Sequence, residues 1–395
     1  MPSNIYSIIE EICASNIAFW KFLTPNDCGL TGAHQYGILI SRNCWQILFK
    51  KDINKDIEKG SIIKREADIL WPQLQRTTHS VFTYYDSKHE LRITRFQQKF
   101  PFIKPEKTGD LFVLTRSNGD FYRGYVISEE SDIQEFLAYF NLSQVESNSF
   151  LRQYDFRKNN INIANVVGKY FDSHSDLPSS SEMSAMARKY AESFTNPVDP
   201  IGDPDSAILI WTKAEYDLFR EFEEEDIKNK KLLDSLATDQ EGVSKLISLA
   251  NSILNRRKSR AGKSLEHHLG AIFEANNISF TPQATTEGKK RPDFIFPSEQ
   301  AYKDPNFPQD KLFSLAAKTT CKDRWRQVVS ESDRIITKYL FTLQQGVSKS
   351  QLDEMKSDGV VLVVPEQYLN DFPPEYRDMV ITLKEFISMI KESQK

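Results

Sequence analysis

Cysteine is scarce in this chain of 395 residues: Cys13, Cys28, Cys44 and Cys321 make up the total, with no CxxC pair and no zinc-type spacing. That leaves no basis for a disulfide scaffold or a thiolate metal site, and reduced thiols in a cytoplasmic protein are expected. No apolar run approaches the roughly 20 residues that span a bilayer, so neither a transmembrane helix nor a membrane partner is expected. The opening stretch, MPSNIYSIIEEICASN, carries acids early and lacks a basic segment ahead of an apolar core. That argues against a secretory signal. Net charge is nearly absent too, since 51 Lys and Arg face 55 Asp and Glu, a formal −4. So small an excess excludes no nucleic-acid partner, because the distribution of charge matters more than its sum. What is present is an ordinary globular composition, 39% apolar and 27% charged, in a length that fits two or three domains.

The charge is unevenly placed. Residues 251–330 hold 14 Lys and Arg against 8 Asp and Glu. Ahead of them the run Glu221–Asp226 (EFEEED) reads as a solvated acidic helix face. Between Ser173 and Asp205, Ser, Pro and Asp crowd around a short helical pattern at 181–194, and Pro197, Pro200 and Pro204 break regular structure. The expected division is a first domain over 1–174, a linker with a leading helix over 175–205, and a second domain over 206–395.

The first domain reads as β-rich. YGILI, SVFTYY, LRITRF, DLFVLTR and FYRGYVIS alternate with turn signals, and Asn118-Gly119 marks a hairpin between the last two. With a helix near each end, a small barrel or sandwich accounts for the set. The second domain alternates. Leu265, Leu269, Ile272 and Phe273 have helical spacing, strands are expected at DFIFP, LFSLAAKTT, LFTL and VVLVVP, and a helix runs from Asp323. A last helix carries Leu383, Phe386, Ile387 and Ile390. This is an α/β layout with helices flanking a mixed sheet.

Two residues in that sheet carry chemistry. Asp293, after Pro292, opens the strand DFIF, and Lys318 closes LFSLAAK. A carboxylate and an ammonium at neighbouring strand ends suit phosphodiester hydrolysis: the carboxylate holds Mg²⁺, and the lysine orients or activates the attacking water and offsets phosphate charge. The usual nuclease pattern has an acid two residues before the lysine, where this chain has Ala316. Glu331 is the candidate replacement, because on a continuous helix it shares a face with Arg324 and Gln327. Two rival motifs fail on spacing. AGKS (261–264) ends like a phosphate-binding loop, but the first glycine of that motif falls at Arg257. His267-His268 lacks the spacing of a zinc helix and reads as a pair of helix-surface or half-buried histidines.

The segments NSILNRRKSRAGKSLEHHL, EGKKRPDFIFPS and AAKTTCKDRWRQ closely resemble the catalytic domain of EcoRII-type (type IIE) restriction endonucleases. That family carries a variant of the PD-(D/E)XK active site in the order PD…K…E, matched here by Asp293, Lys318 and Glu331. Glu266 matches a helix glutamate that lies near the metals in related enzymes. NDCGLTGAHQYG (26–37) and HELRITR (89–95) extend the resemblance to the family's effector-binding domain, a B3-like pseudobarrel. The implied architecture is a B3-like DNA-binding domain joined to a restriction-endonuclease-like α/β domain.

The resemblance also places DNA contacts. Lys322, Asp323 and Arg324 stand where the family reads the CC:GG part of its site in the major groove; Arg suits guanine O6 and N7, and Asp suits cytosine N4. The alternative for Asp323 is a helix N-cap. Arg256, Arg257, Lys258, Arg260 and Lys263 put five cations in eight residues, a phosphate-tracking stretch or a plain solvated face. In WTKAEYDLF (211–219), Tyr216 is the aromatic candidate for a base-flip pocket, and Thr212 stands where relatives have an arginine. His34, Lys88, Glu90, Arg92 and Arg95 fall at or near the effector-DNA positions, with Leu91 where the family has a basic residue. The resemblance implies a Mg²⁺-dependent type II restriction endonuclease. It would be a homodimer on a near-palindromic duplex site with CC and GG flanks, stimulated by an effector copy of the site and autoinhibited without it. The alternatives are a DNA-binding regulator with an inactive nuclease fold and a repair or modification-dependent nuclease.

Overall fold

The computed structural model describes residues 4–30, 37–50, 52–53, 58–96, 100–151, 161–193, 197–231, 240–288 and 290–395. Eight strands build its first unit: β1 (Ile17–Phe22), β2 (Ile38–Ile40), β3 (Ile62–Trp71), β4 (Arg76–Tyr85), β5 (Glu90–Thr94), β6 (Leu111–Ser117), β7 (Phe121–Ile127) and β8 (Ser149–Phe150). They join in the order β2-β5-β4-β3-β7-β6-β1-β8, antiparallel throughout except where β3 meets β7. Side chains alternate between two cores, as strand geometry requires. Phe19, Phe112 and Tyr122 point into the barrel with Trp71 and Phe82. Their neighbours Trp20, Val113 and Tyr125 point outward under helices α1 (Ile5–Cys13) and α2 (Glu130–Phe140). Strands buried on both faces read as continuous apolar runs, which is why DLFVLTR lacks visible alternation. The hairpin at Asn118-Gly119 is present: Ser117 pairs with Phe121, and Gly119 and Asp120 turn the chain at φ 79° and 63°. Gly124 lets Trp71 lie against the backbone, since a Cβ there would stand 2.6 Å from the ring.

The second unit is a six-stranded mixed sheet of β9 (Thr281–Pro282), β10 (Phe294–Phe296), β11 (Phe313–Lys318), β12 (Lys338–Thr342), β13 (Val360–Val364) and β14 (Val380–Thr382). Strands β9 to β11 run antiparallel, and β11 to β14 parallel. One face is covered by α3 (Ile161–Phe171), α4 (Ser180–Ala191), α5 (Pro204–Asn229), α6 (Gln240–Ala275) and α10 (Leu383–Ser393). The other carries α8 (Trp325–Val329) and α9 (Lys349–Ser357); the short α7 (Glu299–Lys303) lies at the β9–β10 edge. Leu315 and Ala317 face the first set of helices while Ala316 faces Trp325 and Val328.

Three expectations need correction. Helix α3 packs into the second core through Ile163 and Val167, so the second unit begins before it and not at 175; a Ser/Pro-rich stretch marked the wrong end of that helix. The acidic run is not a solvated face. Glu223 and Asp226 are buried and pair with Arg256 and Arg257 of α6, so the acidic and basic runs neutralise each other across two packed helices. His268 is fully buried beside Glu215 at 3.0 Å, not at the surface or half-buried, while His267 is half-buried as expected.

Candidate active site

In the antiparallel β10–β11 register Phe294 faces Leu315, so Asp293 stands across from Ala316, the position of the missing acid. Asp293 Oδ2 accepts the Ala317 N–H at 2.8 Å and the Lys318 ammonium at 2.9 Å. Both partners are largely withdrawn from solvent, with side chains 9% and 12% exposed. The sheet therefore delivers the carboxylate and the ammonium as a preformed pair. Glu266 projects from α6 toward the same point. Burial, and after it the nearby Asp293, hold its carboxyl above the ordinary range, against a lowering hydrogen bond from Gln283. The Gln283 amide donates to Glu266 Oε2 at 2.9 Å and to Asp293 Oδ1 at 3.0 Å.

Glu331 reaches the site by a different route from the one expected. Helix α8 stops at Val329, so Glu331 lies beyond it and shares no helix face with Arg324. Val328, Val329 and Ser330 are mediocre helix formers, and the chain turns with the Glu331 N–H on the Val328 carbonyl at 3.1 Å. The turn is pinned from two sides: Thr286 Oγ1 donates to the Glu331 carbonyl at 2.6 Å, and Ser332 bonds Ser314 of β11 at 3.1 Å. The carboxylate stays within electrostatic reach of the pair. Burial raises Glu331 to about 7, with Lys318 lowering it and Asp293 raising it further.

These residues fit a hard divalent cation. Among the described residues Glu331 Oε2 is buried without a hydrogen-bond partner, an acceptor left open where burial is otherwise costly. Among the described residues no three His, Cys, Asp or Glu side chains form a complete metal cage. Mg²⁺ does not need one, because it keeps several waters and binds through one or two carboxylates.

Of the residues assigned to DNA, Arg257, Lys258, Lys263 and Arg324 line one cavity with Glu266, and the first unit covers several of them. Lys322 is ion-paired with Asp110 and donates to the Ser128 carbonyl at 2.7 Å. Glu130, the first residue of α2, accepts the backbone N–H groups of Asp323 and Arg324 at 2.5 and 3.0 Å and the Thr320 hydroxyl at 2.8 Å. Arg324, not Asp323, is the N-cap residue of α8. At the other end of α2, Arg257 donates to the carbonyls of Ala138 and Tyr139 at 3.0 and 2.8 Å, and Lys258 pairs with Glu135. Arg256 pairs with Glu223 and Asp226, and Lys263 is exposed. Arg260 is the exception to a phosphate-tracking stretch. It is 6% exposed, 3.0 Å from Glu215, with its guanidinium 4.4 Å from the Tyr216 ring centroid. On a helix, the fourth residue of a cationic run turns inward as readily as the first turns outward.

Tyr216 is buried and lines a cavity of about 240 Å³ together with Arg324, Glu266 and residues of α2. Thr212 donates its hydroxyl to the Ile208 carbonyl at 2.7 Å. In the first unit Lys88 is exposed ahead of β5, Glu90 and Arg92 pair along β5 at 3.1 Å, and Arg95 reaches Glu66 at 3.4 Å. His34 lies outside the described residues. Asp27 of the NDCG motif is structural: it is fully buried, pairs with Lys21 at 2.5 Å and accepts the Leu39 N–H at 2.7 Å. Sequence reasoning missed Gln283, Glu130 and Asp110. No motif marks them, and the last two matter only because the two units dock.

A B3-like pseudobarrel followed by a restriction-endonuclease-like α/β domain, with Asp and Lys on adjacent strand ends, defines a two-domain endonuclease. Residues 13–149 match the family description "Restriction endonuclease EcoRII, N-terminal", and residues 219–387 match "EcoRII C terminal". The chain is 36% identical over 408 residues to the type II restriction enzyme EcoRII of Escherichia coli, covering 96% of this chain and 95% of that protein. It therefore belongs to the EcoRII family of type II restriction endonucleases. Among solved structures, metal-depleted Ecl18kI in complex with uncleaved, modified DNA aligns over 58% of this chain and 83% of its own, at 21% identity and a TM-score of 0.47. A PspGI–substrate DNA complex aligns over 55% and 93%, at 15% identity and a TM-score of 0.44. The UbaLAI B3 domain with cognate DNA aligns over 31% and 77%, at 17% identity and a TM-score of 0.23.

Proposed function

We propose that this enzyme hydrolyses duplex DNA at a short near-palindromic site with CC and GG flanks, in a Mg²⁺-dependent reaction that leaves 5′-phosphate ends. The observation that carries the reading is the Asp293–Lys318 pair with Glu331 held beside it, one carboxylate oxygen buried and open. Asp293 and Glu331 would hold the cation, with Glu266 adjacent. Bound there, Mg²⁺ supplies Lewis-acid stabilisation of the phosphate charge and a more acidic water. Lys318 orients the attacking water and offsets charge on the phosphorane-like transition state, while the Ala317 N–H keeps Asp293 from rotating. Lys322, Asp323 and Arg324 would read bases, and Arg256, Arg257, Lys258 and Lys263 would follow the phosphates.

Two further parts of the reading have their own support. Helix α2 holds both ends of the proposed DNA surface, Glu130 on the base-reading turn and the Ala138 and Tyr139 carbonyls on Arg257. This supports an autoinhibited resting state, released when the first domain binds an effector copy of the site through Lys88, Glu90, Arg92 and Arg95, with His34 contributing. For a homodimer the support is an uncovered stripe on α6, where Val243, Leu246 and Ile247 are 53%, 48% and 56% exposed. Plasmid digestion tests the central claim. Cutting at a discrete sequence with Mg²⁺ and none with EDTA is expected, and sequencing the ends reads the site. Specific binding without cleavage would favour a DNA-binding regulator, and cutting confined to methylated plasmid a modification-dependent nuclease.

A further inference from the structure

Gln283 sits where its backbone would be better served by another residue. It follows β9, donates its N–H to the Asp293 carbonyl at 3.0 Å and holds φ at 49°, the left-handed region that glycine enters without steric penalty. The side chain present at that position joins two carboxylates from different elements. Its Nε2 lies 2.9 Å from Glu266 Oε2 on α6 and 3.0 Å from Asp293 Oδ1 at the head of β10. The amide orientation is fixed by its surroundings, because the flipped group would set Oε1 against two acceptors.

We propose that Gln283 is a positioning residue for the divalent cation, its amide clamping Glu266 and Asp293 at a fixed spacing with their remaining lone pairs on one side. The proposal rests on the cation site put forward above. The disposition of lone pairs supports it. Asp293 Oδ2 is filled by the Ala317 N–H and the Lys318 ammonium; Oδ1 takes one N–H from Gln283 and keeps one acceptor position. Among the described residues Glu266 is bonded through Oε2 and keeps Oε1, and Glu331 Oε2 has no hydrogen-bond partner. Two carboxylates this close repel, and without a shared donor they would swing apart. A single NH₂ group, one hydrogen to each, orients both and leaves each carboxylate with acceptor capacity to spare. Gln is suited to this and Glu is not, since a third carboxylate donates nothing.

The test uses the full-length enzyme with Gln283→Leu, which keeps the bulk and removes the donors, and Gln283→Gly, which also frees the backbone. Mg²⁺ binding, with Mn²⁺ as a second probe, is titrated by calorimetry without DNA, and single-turnover cleavage is followed against Mg²⁺ concentration. Both variants are expected to bind Mg²⁺ roughly ten- to a hundredfold more weakly, the usual cost of losing a ligand's hydrogen-bond partner. Cleavage should recover as Mg²⁺ saturates, and Gln283→Gly should melt no lower than wild type. If that variant fails to fold, Gln283→Leu decides. Wild-type Mg²⁺ affinity in Gln283→Leu would overturn the clamp and leave the nuclease reading standing. A wild-type enzyme that binds neither ion would overturn the cation site and the clamp together.

Discussion

At the scale of single residues, the Glu331 carboxyl sets a pH dependence. Its folded-state value of about 7 lies above the ordinary 4.5, burial being the main cause. The folded enzyme therefore keeps a proton that the unfolded chain releases. The corresponding stability is fully present below about 4.5 and is lost as pH rises through about 7. A bound cation needs the ionised form, so binding expels that proton and affinity should climb from pH 6 to 8. Calorimetric Mg²⁺ titration at the two pH values checks this: the wild type should bind more tightly at pH 8, and Glu331→Gln should lose most of that slope with most of the affinity. A flat wild-type profile would remove Glu331 from the cation site. Asp293→Ala and Glu331→Ala should each abolish cleavage while gel-shift binding survives. Apolar runs made the strand ends at Asp293 and Lys318 legible in the sequence, and the family resemblance, not the runs, proposed a site there. Glu331 was legible only as a residue: the helix assumed to carry it is too short, and tertiary ties from Thr286 and Ser314 place it instead.

At the scale of elements, α2 is what the proposed autoinhibited state would rest on, since it bonds the Asp323–Arg324 backbone at one end and Arg257 at the other. Removing the Glu130 carboxylate leaves the Thr320 hydroxyl and the N–H groups of Asp323 and Arg324 without their acceptor. Each such loss costs about 1–3 kcal/mol in a buried setting. Those bonds belong to the docked state, so Glu130→Ala should shift the population toward the open one by at least the roughly 5- to 150-fold that a single loss of about 1–3 kcal/mol is worth. On a plasmid with one site, cleavage should rise at least about fivefold while addition of a site-bearing duplex stimulates it less. Equal one-site rates in variant and wild type would show that α2 docking does not restrain the enzyme. The family resemblance implied autoinhibition, but not which residues make the contact, because ESDIQEFLAYF carries no motif that marks Glu130 as a docking residue. The same limit explains the other misses. Strand β3 (IIKREADILW) is charged along its outward face, so it lacked the apolar signal that betrayed β4, β6 and β7. The acidic run on α5 and the basic run on α6 were each legible, but a run read singly does not show that another helix neutralises it.

At the scale of the whole molecule, one catalytic centre per chain faces a substrate with two strands. The described residues contain one Asp293–Lys318 pair, and in-line attack on both backbones calls for two such centres in opposite orientation. The proposed two-fold homodimer would supply them with the symmetry of a near-palindromic site. Helix α6 offers the contact. Val243, Leu246, Ala250 and Ile253 recur at three and four residues with Ile247 and Leu254 beside them, and Glu241 and Lys245 pair with each other at 2.7 Å. Such a stripe can meet a second copy of itself without opposing like charges, as the apolar seam of paired helices does. Leu246→Lys together with Ile247→Lys should therefore turn a dimer into a monomer in sedimentation velocity at micromolar protein. Because Glu266 lies several turns further along the same helix, the catalytic centre itself should stay intact. The monomer should then nick supercoiled plasmid to the open circle and yield little linear product. A double variant that sediments as a dimer and linearises plasmid at the wild-type rate would move the interface elsewhere, while a folded monomer that still cuts both strands together would end the case for two-fold action.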